Sequence, residues 1–207
     1  MIANHVHDAL AQVRTLQAFL IERNMFKGYS GTARILSGTA ALGGAAVLAL
    51  GPVPATPVAH LLGWFCVLSF GLVANYVALA WWFLFDSSAH RNPVMLKPAL
   101  DAVPALAVGA VVTMALILRA QLDLLFGSWM CLYGLAQIAY RHSLPAGVYR
   151  TGLFYVLCGT WFLLAPGVRF LDPWPMGVVF FVGELAGGIV LVRDHRRAPR
   201  RELEAAA

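Results

Sequence analysis

The chain has 207 residues, of which 60% are hydrophobic and only 12% are charged, and its mean hydropathy is +0.72. Soluble domains carry about 25% charged residues, so this composition excludes an ordinary soluble protein and predicts one embedded in a membrane. The net charge of +5 does not call for a nucleic-acid partner. Basic residues beside membrane spans are attracted to anionic lipid headgroups, which accounts for the same excess.

Residues 1–28 precede the first long apolar run and are predicted to form an amphipathic helix, either cytoplasmic or at the membrane interface. Apolar side chains recur there at alternating spacings of four and three residues, which is a heptad pattern. We expect this helix to lie along the membrane surface. The alternatives are an oligomerisation helix and a docking site for a cytosolic protein. The heptad positions are Ile2, Val6, Ala9, Val13, Leu16 and Leu20.

Residues 29–193 are predicted to form an all-α, polytopic membrane domain: a bundle of six transmembrane helices. The uncharged runs approach the roughly 20 residues that a helix needs to cross hydrocarbon. They contain scattered glycines and no alternating pattern, which favours helices over barrel strands. Residues 194–207 follow as a basic cytoplasmic tail. The predicted spans are Ile35–Leu50, Val58–Phe85, Ala102–Leu118, Leu124–Tyr140, Gly152–Ala165 and Met176–Val192.

The basic residues predict the orientation, because Lys and Arg near span ends stay in the cytoplasm. Nearly all of them fall before span one, after span six, or in the loops that follow spans two and four. Only Arg119 and Arg169 fall in the other loops. Both termini are therefore predicted to be cytoplasmic, as in a multi-pass protein of the bacterial cytoplasmic (inner) membrane.

Small residues repeat at four-residue spacing in the first and last spans. Helices in lipid associate where small side chains let their backbones approach closely. These faces therefore predict tight helix contacts, and they make a homo-oligomer a reasonable expectation. The residues are Ala33, Ser37, Ala41 and Ala45 in and before span one, with Gly183 and Gly187 in span six.

Glu184 stands in a run with no other charge from Met176 to Val192. It shares a helix face with Gly177 and Gly188, so its carboxyl group is expected to face protein and not lipid. No Lys or Arg is predicted at this depth, and burial without a cationic partner favours the neutral acid. An ionisable residue inside a membrane span is costly and suggests function by default.

Three other polar residues are predicted to lie near the depth of Glu184, about 14 Å from the cytoplasmic edge at a rise of 1.5 Å per residue. They are Asn75, Thr113 and Thr160. Such a layer can line a path for a proton or a small solute. It can equally be structural, because hydrogen bonds between buried side chains hold helices together in lipid.

No cofactor or metal site is predicted. His60 and His142 lie at opposite ends of their spans, so they cannot share a haem iron, and no paired His or Cys motif occurs inside a span. Enzyme signatures such as a nucleophile elbow or a phosphate-binding loop are also missing. A weak cytoplasmic cluster has acid, base and anion-binding residues of the kind a lipid-headgroup enzyme uses: Asp86, His90, Arg91, Arg141, His142 and Arg150.

The segments "RNMFKGYSGTARILSG" and "LYGLAQIAYRHSLPAGVYRTGLFYVLCG", with the Gly-rich and aromatic last span, give the chain a recognisable layout. It resembles an uncharacterised family of bacterial multi-pass, about six-span, cytoplasmic-membrane proteins. In that family a basic, aromatic and Ser/Gly-rich segment leads into span one, and the last span often has His where this chain has Glu184. The resemblance implies a location in the cytoplasmic membrane and no activity.

The leading functional expectation is a small-solute transporter or channel, proton-coupled through Glu184, with Asn75, Thr113 and Thr160 along the path. The first alternative is a non-transporting membrane scaffold or sensor that acts through oligomerisation and a cytosolic partner. The second is a membrane-lipid enzyme at the cytoplasmic face. Transport predicts a water-filled cavity that reaches Glu184, whereas a scaffold predicts a closed centre.

Overall fold

The computed structural model describes residues 28–85, 103–139 and 145–206, with side chains up to residue 196. The described residues are helical and contain no strand. In chain order the helices are α1 (Gly31–Leu50), α2 (Pro57–Phe85), α3 (Val103–Leu118), α4 (Leu125–Ala139), α5 (Ala146–Leu164) and α6 (Trp174–Ala206), and a single 3₁₀ turn at Leu122–Leu124 leads into α4.

Four of these helical segments are long and apolar enough to cross a membrane. They are Gly31–Leu50, Pro57–Phe85, Leu122–Ala139 and Trp174–Arg196, while α3 is a shorter apolar helix. The all-helical class and the presence of helices that could span a membrane are therefore confirmed. Each of the six predicted spans overlaps one helix of the structure. The predicted N-terminal helix lies outside the described residues.

The start of α1 differs from the prediction in a way that matters for function. Ser30 caps this helix, because its Oγ accepts a hydrogen bond from the backbone N–H of Ala33 at 3.3 Å. A serine at this position satisfies one of the free N–H groups of the first turn. The helix consequently begins at Gly31, four residues before the predicted span, and Arg34 belongs to its first turn.

The helices pack in a spatial order that differs from their order along the chain. The most extensive contacts join α1 to α6 and α4 to α5; α6 also packs on α5. These four helices surround the centre of the molecule. The outer helix α2 packs mainly on α1, and α3 packs mainly on α4. The first and last helices are therefore direct neighbours.

One end of the bundle is closed by aromatic side chains. Trp64 of α2 makes an edge-on contact with Phe126 of α4, with ring centroids 5.7 Å apart. Phe126 also packs on Phe170 from the connection between α5 and α6. Asp123 holds this connection, since its Oδ1 accepts the backbone N–H of Phe170 at 2.7 Å. The contacts position α4, α5 and α6 around the polar centre.

Candidate functional site

Glu184 lies where α1 and α6 approach each other most closely. The absence of a side chain at Gly38 of α1 allows this close approach, because a Cβ built there would lie only 2.7 Å from the Cβ of Glu184. Further along, Gly177 of α6 fits against Ala41 and Ala45 of α1. Glu184 is only 3% exposed. The expectation that its carboxyl group faces protein is confirmed.

The carboxylate of Glu184 forms a two-point ion pair with Arg34. The guanidinium Nε donates to Oε2 at 2.9 Å, and Nη2 donates to Oε1 at 2.8 Å. Both side chains are buried, with relative exposures of 7% for Arg34 and 4% for Glu184. Parallel N–H···O bonds of this kind are among the strongest hydrogen bonds in proteins. The pair joins residues 150 positions apart and fastens the first described helix to the last.

Two tyrosines complete the shell around the carboxylate. The hydroxyl of Tyr133, from α4, donates to Oε1 at 2.8 Å, and that of Tyr155, from α5, donates to the same oxygen at 3.1 Å. The two rings meet edge to face with centroids 5.0 Å apart. Glu184 thus receives four hydrogen bonds from three helices other than its own. We call Arg34, Tyr133, Tyr155 and Glu184 the central network.

The central network supplies Glu184 with a counter-charge. The guanidinium of Arg34 has donors and no acceptor, so both carboxyl oxygens that it contacts act as acceptors. Arg34 remains charged in proteins, and it neutralises the carboxylate at hydrogen-bond distance. The expectation that Glu184 has no cationic partner was therefore wrong. Its cause was the placement of Arg34 in a cytoplasmic segment before the first span.

Sequence reasoning missed three of the four residues of the central network. For Arg34 a usable signal exists, since Ser30 followed by Gly and Thr is a pattern typical of a helix start. If α1 begins at Gly31, Arg34 belongs to its first turn, where the side chain is buried, and not to the preceding loop. Gly187 also makes room for it, because a Cβ there would lie 2.8 Å from the guanidinium carbon. The tyrosines carry no comparable signal, because nothing in their spacing identifies a carboxylate on another helix.

The other residues of the predicted polar layer bond elsewhere in the described part of the chain. The side-chain amide of Asn75 donates to Ser37 Oγ at 3.1 Å and to the backbone oxygen of Gly71 at 2.8 Å. Thr113 donates to the backbone oxygen of Gly109 and accepts from Trp129 Nε1 at 2.8 Å. These bonds join α1 to α2 and α3 to α4. The structure does not bring either residue to Glu184.

Thr160 lies on the outside of the bundle. Its side chain is exposed, and it lines an apolar surface groove of about 520 Å³. The nearest polar contact is Cys131 Sγ, 4.0 Å from its Oγ1. Thr160 therefore does not line a path to Glu184. The groove lies along the second half of α5 and the residues that follow it; its walls are Leu157, Thr160, Trp161, Leu164, Ala165 and Pro166.

The predicted packing residues fill contacts within a single chain. Ala41 and Ala45 are buried against α6, whereas Ser37 turns toward α2 and accepts from Asn75. A Cβ on Gly183 would collide with the ring of Tyr155, and Gly187 adjoins Arg34. These faces are occupied inside the protomer, so they no longer argue for an oligomer.

A second buried polar pair lies one turn from each tyrosine. Thr151 donates to Gln137 Oε1 at 2.7 Å, which links α5 to α4. Gln137 is 5% exposed, and within the described part of the chain its Nε2 has no hydrogen-bond partner. Gln137 is four residues from Tyr133, and Thr151 is four from Tyr155, so each pair shares a helix face. The polar interior therefore extends toward the segment that joins α4 to α5.

Most of the weak cytoplasmic cluster cannot be placed. Asp86, His90, Arg91, Arg141 and His142 lie outside the described residues. Arg150 is described, and it is exposed on α5. Across residues 28–85, 103–139 and 145–196, no three His, Cys, Asp or Glu side chains form a group that could hold a metal ion.

Comparison with known proteins adds nothing to this geometry. No family model, no curated protein and no solved structure matches the chain. The functional argument therefore rests on the residues themselves.

Proposed function

We propose that this protein is a six-span protein of the bacterial cytoplasmic membrane with both termini in the cytoplasm. Four helical segments are apolar enough to cross a bilayer, and α3 and α5 complete the six. The exposed surface supports embedding, because large apolar side chains stand outward all along α2 and α3. The distribution of Lys and Arg between alternate loops supports the orientation.

Within that membrane we propose a non-transporting scaffold or sensor, whose rigid centre presents its outer surfaces and its N-terminal segment to partners. The observation that carries this proposal is the saturation of Glu184, whose carboxylate receives four hydrogen bonds from Arg34, Tyr133 and Tyr155. A carboxylate that serves a transport path must exchange its partners for water or substrate. Here the partners come from three different helices, so that exchange would require side chains of all three to move away from Glu184.

The energetics of a buried ion pair also favour a closed centre over a transport path. Removing one partner from a buried ion pair costs about 3–5 kcal/mol, because the other charge remains uncompensated in a medium of low dielectric. Separating Arg34 from Glu184 before water reaches them would incur a penalty of this kind in every cycle. A central network of this kind is better suited to holding four helices in one arrangement.

A flux measurement tests the proposal. Purified protein is reconstituted into liposomes that contain a pH-sensitive dye, and a pH step is applied outside. We expect proton entry to equal that of protein-free liposomes, both for the wild type and for Glu184→Gln. Swelling assays with small neutral solutes should likewise show no protein-dependent entry. Proton or solute entry that requires Glu184 would overturn the scaffold proposal.

The partner-binding part of the proposal concerns residues 1–28, outside the described part of the chain. The heptad positions Val6, Val13 and Leu20 would contact a cytosolic protein or a second copy of the chain. Photo-crosslinking groups placed at Val13, and at the polar position Gln12 as the matched control, test this in intact cells. Crosslinks at Val13 and not at Gln12 support a specific contact. Equal crosslinking at both positions, or at neither, contradicts it.

Proton-coupled transport of a small solute is the second candidate. One observation favours it: an ion pair well inside an apolar bundle is expensive, and intramembrane ionisable residues mark function more often than structure. In this mechanism, the ion pair between Arg34 and Glu184 would break as the contact between α1 and α6 opens and would form again as the contact closes. The flux experiment above distinguishes the two candidates, because only transport predicts entry that is lost in Glu184→Gln.

A further inference from the structure

Arg150 occupies an unusual place, because it is an exposed arginine inside the first turns of α5. The buried face of this helix carries Val148, Thr151 and Tyr155. Thr151 bonds to Gln137 of α4, and Tyr155 bonds to Glu184 of α6. Arg150 lies on the opposite face. On a membrane-embedded helix that face is turned to lipid, where an arginine side chain extends to the headgroup level.

The packing of α5 on α6 places a second arginine beside it. A Cβ on Gly147 would lie 2.6 Å from a methyl group of Val190, which fixes the antiparallel register of the two helices. In that register Arg150 is level with Gly187, and exposed Arg193 lies about 9 Å further toward the cytoplasm at 1.5 Å per residue. Extended arginine side chains from the two helices can therefore reach one phosphate group.

The local charge is positive. Arg196, also exposed, follows Arg193 by one turn of α6, and Asp194 is the carboxylate at this end of α5 and α6 among the residues whose side chains the structure describes, which end at Arg196. Among the described residues, Arg34 and Glu184 form a salt bridge, whereas Arg150 and Arg193 do not form one with any described residue. Three arginines against one aspartate leave a surface complementary to an anion.

An apolar stripe continues from Arg150 along the same face of α5. Leu153, Leu157, Trp161 and Leu164 follow at spacings of three and four residues and are all exposed. The last three line the groove of about 520 Å³. Leu157 is seven residues, about 10 Å, from Arg150, and the groove continues from there to Pro166 toward the other leaflet. Leu153 and Leu157 are therefore the exposed apolar residues within reach of an acyl chain whose phosphate is at the level of Arg150.

We propose that the α5–α6 surface binds an anionic phospholipid of the cytoplasmic leaflet, with the phosphate held by Arg150 and Arg193 and an acyl chain along Leu153 and Leu157. The inference rests on the proposed topology, in which this end of α5 faces the cytoplasm. In this proposal Arg150 binds a lipid, whereas the sequence pattern placed it among residues of the kind that a lipid-headgroup enzyme uses. Phosphate diesters suit arginine, whose planar guanidinium can donate two hydrogen bonds to one phosphate.

Native mass spectrometry of the purified full-length protein tests the site by counting bound lipids. The protein is titrated with phosphatidylglycerol and with phosphatidylcholine of the same acyl chains. We expect selective binding of phosphatidylglycerol, weakened about fivefold for each of Arg150→Gln and Arg193→Gln, since one basic residue near the surface contributes about that factor. Arg119→Gln, which removes an exposed arginine at the opposite end, is the matched control.

Equal affinity for the two lipids, or weakening by Arg119→Gln as large as by Arg150→Gln, would overturn the proposal. So would displacement of the bound lipid by millimolar inorganic phosphate, which would indicate an ion site without an acyl-chain contact. The topology is measured separately with a C-terminal alkaline phosphatase fusion, which is active only outside the cytoplasm. An active fusion combined with selective lipid binding would refute the topology and move the site to the outer leaflet, so the two failures are distinguishable.

Discussion

The polar side chains at the centre of this bundle are buried and those at the periphery are half-buried, and the two groups form their hydrogen bonds in different ways. At the centre, Glu184 takes its hydrogen bonds from α1, α4 and α5. At the periphery, Asn75 and Thr113 each bond a backbone oxygen one turn earlier in their own helix, with one added bond to a neighbouring helix. Glu184, Asn75 and Thr113 were predicted to lie at a similar depth. They differ in the number of neighbouring helices to which each one bonds, which is three for Glu184 and one for each of the others.

The glycines show the same contrast. Where α1 meets α6, a Cβ on Gly38 has no space, whereas a Cβ on Gly43 of the same helix has nothing within 4 Å. Close packing of backbones brings van der Waals contacts that lipid cannot replace. The centre is therefore predicted to be sensitive to substitution and the periphery tolerant, and four experiments measure the difference.

The largest expected effect is at the ion pair. Arg34→Met should lower the free energy of unfolding by about 3–5 kcal/mol, because it leaves the buried carboxylate of Glu184 without a counter-charge. Adding Glu184→Gln should recover most of this loss, since the amide oxygen still accepts from the tyrosine hydroxyls. Reversible unfolding by denaturing detergent in mixed micelles measures both. Arg119→Met at an exposed position is the control, with an expected change under about 0.5 kcal/mol.

The second effect concerns helix approach. Gly38→Ala should destabilise the protein by about 1–3 kcal/mol, because the added methyl group meets Glu184 and forces α1 away from α6. Gly43→Ala should be neutral or stabilising by up to about 1 kcal/mol, since alanine restricts the unfolded chain at no steric cost. The same unfolding assay checks both. Similar losses at the two glycines would contradict the close contact between these helices.

The third effect separates the two tyrosines from a general aromatic contribution. Tyr155→Phe and Tyr133→Phe each remove one donor to Glu184 and keep the ring, so each should cost about 0.5–2 kcal/mol, the range of interhelical hydrogen bonds in membranes. In the background of Arg34→Met plus Glu184→Gln the cost of either change should shrink, because the acceptor is no longer charged. A cost that is the same in both backgrounds would show that the hydroxyls do not act through the carboxylate.

The smallest effect is expected at the periphery. Asn75→Leu and Thr113→Val should each change the free energy of unfolding by no more than about 0.6 kcal/mol, the mean for such bonds in a membrane bundle. Each residue also bonds its own helix, so its removal breaks only one link between helices. A loss of 2 kcal/mol or more at either position would remove the distinction between the centre and the periphery.

The composition and the long apolar runs were enough to predict an all-helical membrane protein, because the bilayer permits few other structures. The direction of Glu184 was also predictable, since glycines share its face. The partner of Glu184 was not predicted, because the helix start was placed four residues too late and Arg34 was counted as a loop residue. The serine cap at Ser30 could have corrected this. That Tyr133 and Tyr155 meet at Glu184 depends on which helices are neighbours, and the order along the chain does not give that.

The ionisation of Glu184 is the most direct test of the account. Infrared difference spectroscopy of the protein in liposomes, compared with Glu184→Gln, reports the protonation of this carboxyl group as the pH is changed. The closed, paired centre predicts a carboxylate band assigned to Glu184 and no protonated carboxyl band that depends on this residue, because Arg34 and both tyrosines donate hydrogen bonds to its oxygens. A protonated carboxyl band that grows on acidification and is missing in Glu184→Gln would contradict it. That result would show that Glu184 exchanges protons with water, as a transport path requires.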